Sequence, residues 1–249
     1  MKPSIPILLY HHVAPGRPIT PQAFEAQLRF LQDNSYRNLS IDELMQVVEG
    51  NREVPAQAFV ISFDDGYGDN WTCAFPILQR LSMKAIIYLV TERVGTEGFL
   101  SWPEIRSMSE SGLVTFGSHT HTHRRFVRRE PYRNLEEELR QSKTLIEDEL
   151  RKPCEHLAWP WGDYETAWLP FVKTVGYRSA ATTLSGANTT GKDPYALKRI
   201  NVRKPDLDWF RRRVRLNQWA LPADLFGPFN GLDRRLKVWW NNETPYAHG

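Results

Sequence analysis

The chain has 249 residues, of which 41% are apolar and 24% charged, a balance that excludes wholesale disorder. This length allows one large α/β domain or two small ones. The 32 Lys and Arg residues against 29 Asp and Glu residues leave a net charge of +3, too small to indicate a nucleic-acid-binding protein. The two cysteines, Cys73 and Cys154, exclude a disulfide scaffold and a zinc site built from cysteine.

Short apolar runs alternate with segments of helical pattern along most of the chain. Two helix starts are marked: Thr20 before Pro21 is typical of an N-cap, and Ser40 with Glu43 matches a capping box. The predicted helices span 21–31, 41–48, 71–81 and 135–150, and the predicted strands span 5–10, 58–63, 85–90, 113–117, 156–159 and 177–182. This alternation predicts an α/β fold with parallel strands, as a sheet or a barrel.

The composition changes after Lys204. Trp209–Leu216 and Arg234–Trp240 combine basic and aromatic residues, and prolines and glycines separate the two segments. We expect a main domain over 1–204 and a basic aromatic C-terminal extension over 205–249 that packs on it. The extension is interpreted either as helices with a solvated basic face or as a peripheral contact with a membrane surface or a phosphate-bearing substrate.

The first ten residues do not resemble an export signal, since their apolar run is short and is broken by Pro6. No window approaches the ~20 apolar residues of a membrane span. We therefore expect a cytoplasmic protein, which the basic extension could bring to the inner membrane surface.

Two adjacent carboxylates follow the strand predicted over 58–63. Asp64 and Asp65 precede Gly66, and the carboxyl ends of parallel strands are where active sites collect. Neighbouring carboxylates that stay ionised repel each other, so a cation or hydrogen-bond donors nearby would stabilise both. A turn without catalytic function is the alternative, because Asp-Asp-Gly is common in turns.

Three alternating histidines follow the strand predicted over 113–117. His119, His121 and His123 offer imidazole ligands for a borderline metal ion. The spacings His-x-His and His-x-x-x-His are both present, so the sequence leaves the ligand pair open, and a solvated polar loop is the alternative. One aspartate and two histidines leave coordination positions for water and substrate, which is typical of a catalytic metal site.

These motifs resemble those of the polysaccharide deacetylases of the NodB-homology type, the family 4 carbohydrate esterases. Ser62–Gly66 matches the family's Thr/Ser-Phe-Asp-Asp-Gly motif, and His119–His123 matches its His-Ser/Thr-x-x-His motif. Leu9–Val13 is similar to the start of the subgroup that includes poly-N-acetylglucosamine deacetylases. The resemblance extends from about Ile5 to Lys204 and implies a distorted (β/α) barrel with parallel strands.

The resemblance also implies metal-dependent hydrolysis of the N-acetyl group of an amino sugar. Asp64 would be the general base, and Asp65, His119 and His123 would bind the metal, with His121 between them as a non-ligand. Zinc suits one aspartate and two histidines, and cobalt, nickel and manganese are alternatives. The expected partner is an N-acetylated glycan or a lipid-linked sugar precursor.

Two family motifs are incomplete, and the first is Arg-x-Pro-Tyr/Phe-Gly. Ala158 replaces the arginine that orients the base in the family, while Trp161 keeps the backbone N–H expected to bind the oxyanion. Arg199 or Arg203 could supply the missing guanidinium. The side chains of Trp161 and nearby Trp159 either stack on a sugar or pack in the core.

The second incomplete motif is Leu-x-His, in which Arg199 stands where the family has the histidine that protonates the leaving amine. His11 or His12, after the first predicted strand, could face the same pocket, and we assign His11 to the site. Alternatively, a single group could serve as both base and acid. His11 or His12 could then have only a structural role, with hydrogen bonds to other residues of the barrel rim. A hydrolase of a non-sugar C–N bond and a glycan-binding protein with impaired catalysis are the alternative functions.

Overall fold

The apolar runs of the sequence form parallel strands that curl into a nearly closed barrel in the computed structural model, which describes residues 2–125, 133–186 and 188–220. The strands are β1 (Lys2–Pro3), β2 (Ile7–Tyr10), β3 (Arg37–Asn38), β4 (Ala58–Phe63), β5 (Ala85–Leu89), β6 (Val114–Ser118), β7 (His156–Ala158), β8 (Ser179–Ala181), β9 (Arg199–Asn201) and β10 (Trp219–Ala220). The α-helices are α1 (Pro21–Asp33), α2 (Ile41–Val48), α3 (Phe75–Leu81), α4 (Trp102–Glu110), α5 (Arg133–Leu150), α6 (Leu169–Val175) and α7 (Leu207–Leu216).

The main sheet has the strand order β8-β7-β6-β5-β4-β2-β9, and every neighbouring pair is parallel. The short β3 pairs with β4, while β1 and β10 form a separate antiparallel pair. Ala181 at the end of β8 forms a parallel bridge with Leu197, two residues before β9, and this bridge brings the two edges of the sheet together. The predicted distorted (β/α) barrel with parallel strands is confirmed.

Alternate residues of each strand face the helices or the barrel interior. Along β2, Leu8 and Tyr10 pack in the cluster that includes the buried face of α1, whereas Ile7 belongs to a second cluster with the apolar face of α2. Asp42 on α2 also bonds to the ring of His156, the first residue of β7, at 3.1 Å. The helix α2 therefore lies against the amino-terminal end of the barrel, and the carboxyl ends of the strands form the opposite rim.

Most element bounds agree with the sequence pattern, and the differences have local causes. The predicted strand 58–63 and helix 41–48 are confirmed to the residue, and α5 begins at Arg133, two residues before its predicted start. The helix predicted over 71–81 is divided into a π-helical turn at Asn70–Ala74 and α3. Pro76 explains the division, because it has no N–H to continue an α-helical ladder across this point. The sequence analysis missed α4, α6 and β9.

The described part of the predicted C-terminal extension contacts the main domain. Phe210 of α7 packs edge-on against Phe30 of α1, with ring centroids 6.3 Å apart, and Arg211 lies over the same Phe30 ring. The basic segment Arg234–Trp240 lies outside the described residues. Among the helices that the structure describes, none combines the length and the apolar character needed to cross a membrane.

Candidate active site

Polar residues from several strands meet at the carboxyl rim of the barrel. Asp64 and Asp65 follow β4, His119 follows β6, and His11 follows β2. Trp161 lies in the turn after β7. Because parallel strands end on the same side of a sheet, residues far apart in sequence converge here, as the sequence analysis predicts.

The backbone at this rim is held in a conformation that side chains rarely allow. Asp65, Thr120, His123 and Trp161 have φ values of 72°, 65°, 61° and 61°, all in the left-handed region. Such positions cost about 1–3 kcal/mol each and persist only where surrounding structure enforces them. Four of the eight non-glycine residues with positive φ in the described chain belong to these motifs, which concentrates the backbone strain at the site.

Asp65, His119 and His123 form a compact group of metal-ligand type. One ligand atom from each side chain lies within 4.8 Å of the others. Oδ1 of Asp65 is 3.6 Å from Nε2 of His119 and 3.5 Å from Nε2 of His123. Ligand atoms bound tetrahedrally to zinc at about 2.0–2.2 Å are separated by roughly 3.4 Å, so the spacing of these three atoms fits such an ion.

The chemistry of the three side chains also fits a divalent metal ion. Oδ1 of Asp65 is buried without a hydrogen-bond partner, which is costly for a carboxylate unless a cation satisfies it. The Nδ1–H of His119 donates to the carbonyl of Ala158 at 2.8 Å, leaving the lone pair of Nε2 directed at Asp65. Burial lowers the pKa of His123 to about 4, so this imidazole is neutral at pH 7.

Asp64 is held by a buried ion pair with Arg199. Nη1 and Nη2 of Arg199 donate to the two oxygens of Asp64 at 2.6 and 2.8 Å, and Nε donates to the carbonyl of Thr182 at 2.8 Å. Arg199 is fully buried inside the barrel, whereas Arg203 is exposed. Of the two arginines that the sequence offered as a replacement for the family's arginine, the structure brings Arg199 to the site.

The arginine keeps the Asp64 carboxyl group ionised. Burial raises the pKa of Asp64, but the charge of Arg199 and its hydrogen bonds outweigh this effect and lower the pKa to about 2. Asp64 is therefore a carboxylate at neutral pH, with its two oxygens fixed in direction. This arrangement can accept a proton from a water molecule placed beside the three ligand side chains.

The sequence profile of the polysaccharide deacetylase family matches residues 51–180, which is more than half of the chain. The chain belongs to the polysaccharide deacetylase family. YxkH of Bacillus subtilis (strain 168) is 29% identical over 204 residues, covering 81% of this chain and 72% of that protein. The poly-beta-1,6-N-acetyl-D-glucosamine N-deacetylase of Escherichia coli (strain K12) is 25% identical over 242 residues; the match covers 79% of this chain and 35% of the enzyme. The structure of IcaB from Ammonifex degensii has a TM-score of 0.79 at 23% identity, covering 88% of this chain and 99% of that one, which shows the shared fold.

In this polysaccharide deacetylase, His121 points away from the ligand group. The ring Nδ1 of His121 bonds with the hydroxyl of Thr91 at 2.9 Å, and the backbone N–H of His121 donates to the carboxylate of Glu138 at 3.0 Å. Glu138 also accepts from the N–H and the hydroxyl of Thr122, so it fixes the loop between the two ligand histidines. The sequence analysis missed Glu138, although a carboxylate beside Leu139 on the apolar face of α5 is a detectable signal.

The structure separates the two histidines that follow β2. His11 faces the site, where burial lowers its pKa and the charges of Asp64 and Asp65 oppose that effect. His12 turns aside: its Nδ1 lies 2.5 Å from Asp69, and its ring stacks on Tyr67 with centroids 3.6 Å apart. The structure thus places His11, and not His12, beside Asp64 and Asp65, and the role of His11 in the site stays a prediction.

The two tryptophans of the third motif have different environments. Trp159 is fully buried and packs against Trp168 with ring centroids 5.3 Å apart, so it is a core residue of the deacetylase. Trp161 is 51% exposed, and its ring lies 5.4 Å from that of His123. Of the pair, Trp161 is the one available to a sugar, and its main chain sits in the turn at the rim.

We predict that His123→Ala lowers zinc affinity by more than the ~10–100-fold typical of losing an outer-shell partner, because it removes one of three ligand atoms. His121→Ala removes no ligand atom and loses only the ring's hydrogen bond to Thr91, so it should lower zinc affinity by no more than that ~10–100-fold range. Calorimetric titration of metal-depleted protein with zinc measures both. Equal losses in the two variants would contradict the assignment of His123 as a ligand.

Proposed function

We propose that this protein is a metal-dependent de-N-acetylase, which hydrolyses the N-acetyl group of an N-acetylated amino sugar in a glycan. The observation that carries the proposal is the placement of the Asp65, His119 and His123 ligand group beside a carboxylate, Asp64, that Arg199 holds in the ionised form. A metal-ligand group beside a positioned base is the combination that metal-assisted hydrolysis of an amide uses.

The proposed substrates are polymers of N-acetylglucosamine, and glycolipid precursors that carry the same sugar are a second candidate substrate. The names of the curated relatives support the first: those of Escherichia coli and Staphylococcus aureus are poly-beta-1,6-N-acetyl-D-glucosamine N-deacetylases. The chain spans about a third of the Escherichia coli enzyme's length, so the proposal concerns the chemistry of the matched region.

Asp65, His119 and His123 would hold the metal ion, with zinc favoured by the donor set and cobalt, nickel or manganese as alternatives. When bound, a divalent ion would supply a Lewis acid for the acetyl carbonyl and lower the pKa of a water molecule. Asp64 would take the proton from this water as its oxygen attacks the carbonyl carbon. Arg199 would keep the Asp64 oxygens directed at that proton.

The remaining steps need a donor to the oxyanion and a proton for the leaving amine. The backbone N–H of Trp161 would donate to the carbonyl oxygen as negative charge develops on it. His11 would deliver a proton to the amine nitrogen as the C–N bond breaks, giving acetate and the free amino sugar. Because burial lowers the pKa of His11, the ring holds a proton only transiently at neutral pH, and the proton that it delivers would be the one that Asp64 takes from the water.

The first prediction concerns the base. Asp64→Asn should lower kcat by about 10²–10⁴-fold, the usual contribution of a general base, while zinc and glycan binding persist. Acetate release from N-acetylglucosamine oligomers measures the rate, and metal content measures the integrity of the ligand group. Acetate release at an undiminished rate would contradict the role of Asp64. An unmodified protein that binds the oligomer without releasing acetate would favour the glycan-binding alternative, and release only from non-sugar amides would favour the other hydrolase.

The second prediction concerns Arg199. Arg199→Lys keeps a positive charge in the barrel but loses the two-point contact with Asp64, so kcat should fall by about 10-fold or more while zinc affinity and KM change little. Arg203→Lys is the matched control, because the exposed Arg203 should tolerate the same change. The melting temperature of both variants shows whether the fold survives. Equal kcat values in the two variants would exclude a positioning role for Arg199.

The third prediction separates His11 from His12 by the leaving group. His11→Ala should slow release of an amino sugar, which leaves only when protonated, far more than hydrolysis of an aryl acetate, whose phenolate leaves without a proton. His12→Ala should affect both substrates to the same extent, because His12 contacts Asp69 and Tyr67. The ratio of the two kcat/KM values is the measurement. An unchanged ratio in His11→Ala would reject the acid role.

A further inference from the structure

Tyr67, Phe99 and Arg93 form a stack of two rings and a guanidinium group beside the ligand group, which we call the aromatic wall. Tyr67, two residues after Asp65, stacks on Phe99 with ring centroids 5.0 Å apart. Cζ of Arg93 lies over the same Phe99 ring at 5.2 Å. The positive charge of Arg93 acts on both Tyr67 and His123, so its potential reaches the proposed metal ligands.

Hydrogen bonds join this wall to the loops that carry the ligands. The Thr91 hydroxyl bonds to Nδ1 of His121 at 2.9 Å, and the N–H of Glu92 donates to the His121 carbonyl at 3.0 Å. On the other side, the N–H of Leu100 donates to the Gly66 carbonyl at 2.9 Å. The segment 91–100 is therefore fixed relative to the ligand group, and the position of Arg93 is set by the same loops.

Within the ranges that the structure describes, the charge of Arg93 has no ion-pair partner. Arg93 is half-buried, and no described carboxylate lies at ion-pairing distance from its guanidinium group. By contrast, Arg125 lies over the Trp161 ring and is paired with Asp163 at 2.8 Å. A half-buried guanidinium group whose N–H donors have no carboxylate partner is suited to bind the oxygens of an anionic group of a ligand.

We propose that Arg93 binds an anionic substituent of the glycan, a phosphate or a carboxylate, next to the sugar whose N-acetyl group is removed. The inference rests on the proposed function and narrows its substrate class, because an uncharged N-acetylglucosamine polymer offers no counter-charge to Arg93. His121 then has a role beyond separating two ligands, since it connects the ligand loop to the turn that carries Arg93.

The test compares three substrates built on one N-acetylglucosamine trimer: the neutral trimer, the same trimer bearing a phosphate, and the same trimer bearing a carboxylate. The zinc-loaded protein should show higher kcat/KM for at least one anionic trimer, and added salt should reduce the preference. Arg93→Gln should reduce the preference by about 10-fold, and Arg93→Lys should reduce it less. Arg29→Gln is the matched control, because it removes the same charge from an exposed pair with Glu25.

The outcomes separate this inference from the proposed function. Equal kcat/KM for neutral and anionic trimers, or a preference that Arg93→Gln leaves intact, would overturn the role of Arg93. If no trimer is deacetylated, the proposed function fails, and the dissociation constants of the three trimers then decide whether Arg93 recognises an anion. The anionic trimer with the larger gain in kcat/KM over the neutral trimer shows whether Arg93 recognises a phosphate or a carboxylate.

Discussion

The buried ion pair between Asp64 and Arg199 is the interaction on which the arrangement of the site depends. Asp64 is buried beside a second carboxylate, Asp65, and two such groups cannot both stay ionised without compensation. Arg199 satisfies both oxygens of Asp64, which leaves Asp65 to the histidines. Removing one partner of a buried pair costs about 3–5 kcal/mol, because the other charge is left buried without compensation, so Asp64 and Arg199 depend on each other.

The barrel explains how an arginine from a distant segment can replace one missing from a motif. Arg199 is the first residue of β9, and its long side chain runs through the barrel interior past Tyr88, with Cζ 5.6 Å from that ring, to reach Asp64. Interior side chains of all strands converge in a closed sheet. A guanidinium can therefore reach one carboxylate from more than one strand. Ala158 contributes its backbone carbonyl, which orients His119.

The rim loops act as one connected structure. Glu138 on α5 holds the backbone between the ligand histidines, and His121 in that loop bonds to the turn at Thr91. The left-handed conformations of Thr120 and His123 persist because these neighbours fix the loop that contains both residues. The geometry of the ligand group and the position of Arg93 thus depend on shared hydrogen bonds, so changes in one should be felt by the other.

The sequence by itself determined the strand and helix alternation, the barrel class, and the family through Ser62–Gly66 and His119–His123, because these features are local in spacing and chemistry. It could not choose between Arg199 and Arg203, which offer the same chemistry on the same stretch of chain. It assigned His11 to the site, but no feature of the sequence separates His11 from its neighbour His12. Only the tertiary structure decided these cases. Closure of the barrel buries Arg199 against Asp64. The turn of the chain after β2 directs His11 towards Asp64 and Asp65 and His12 towards Asp69.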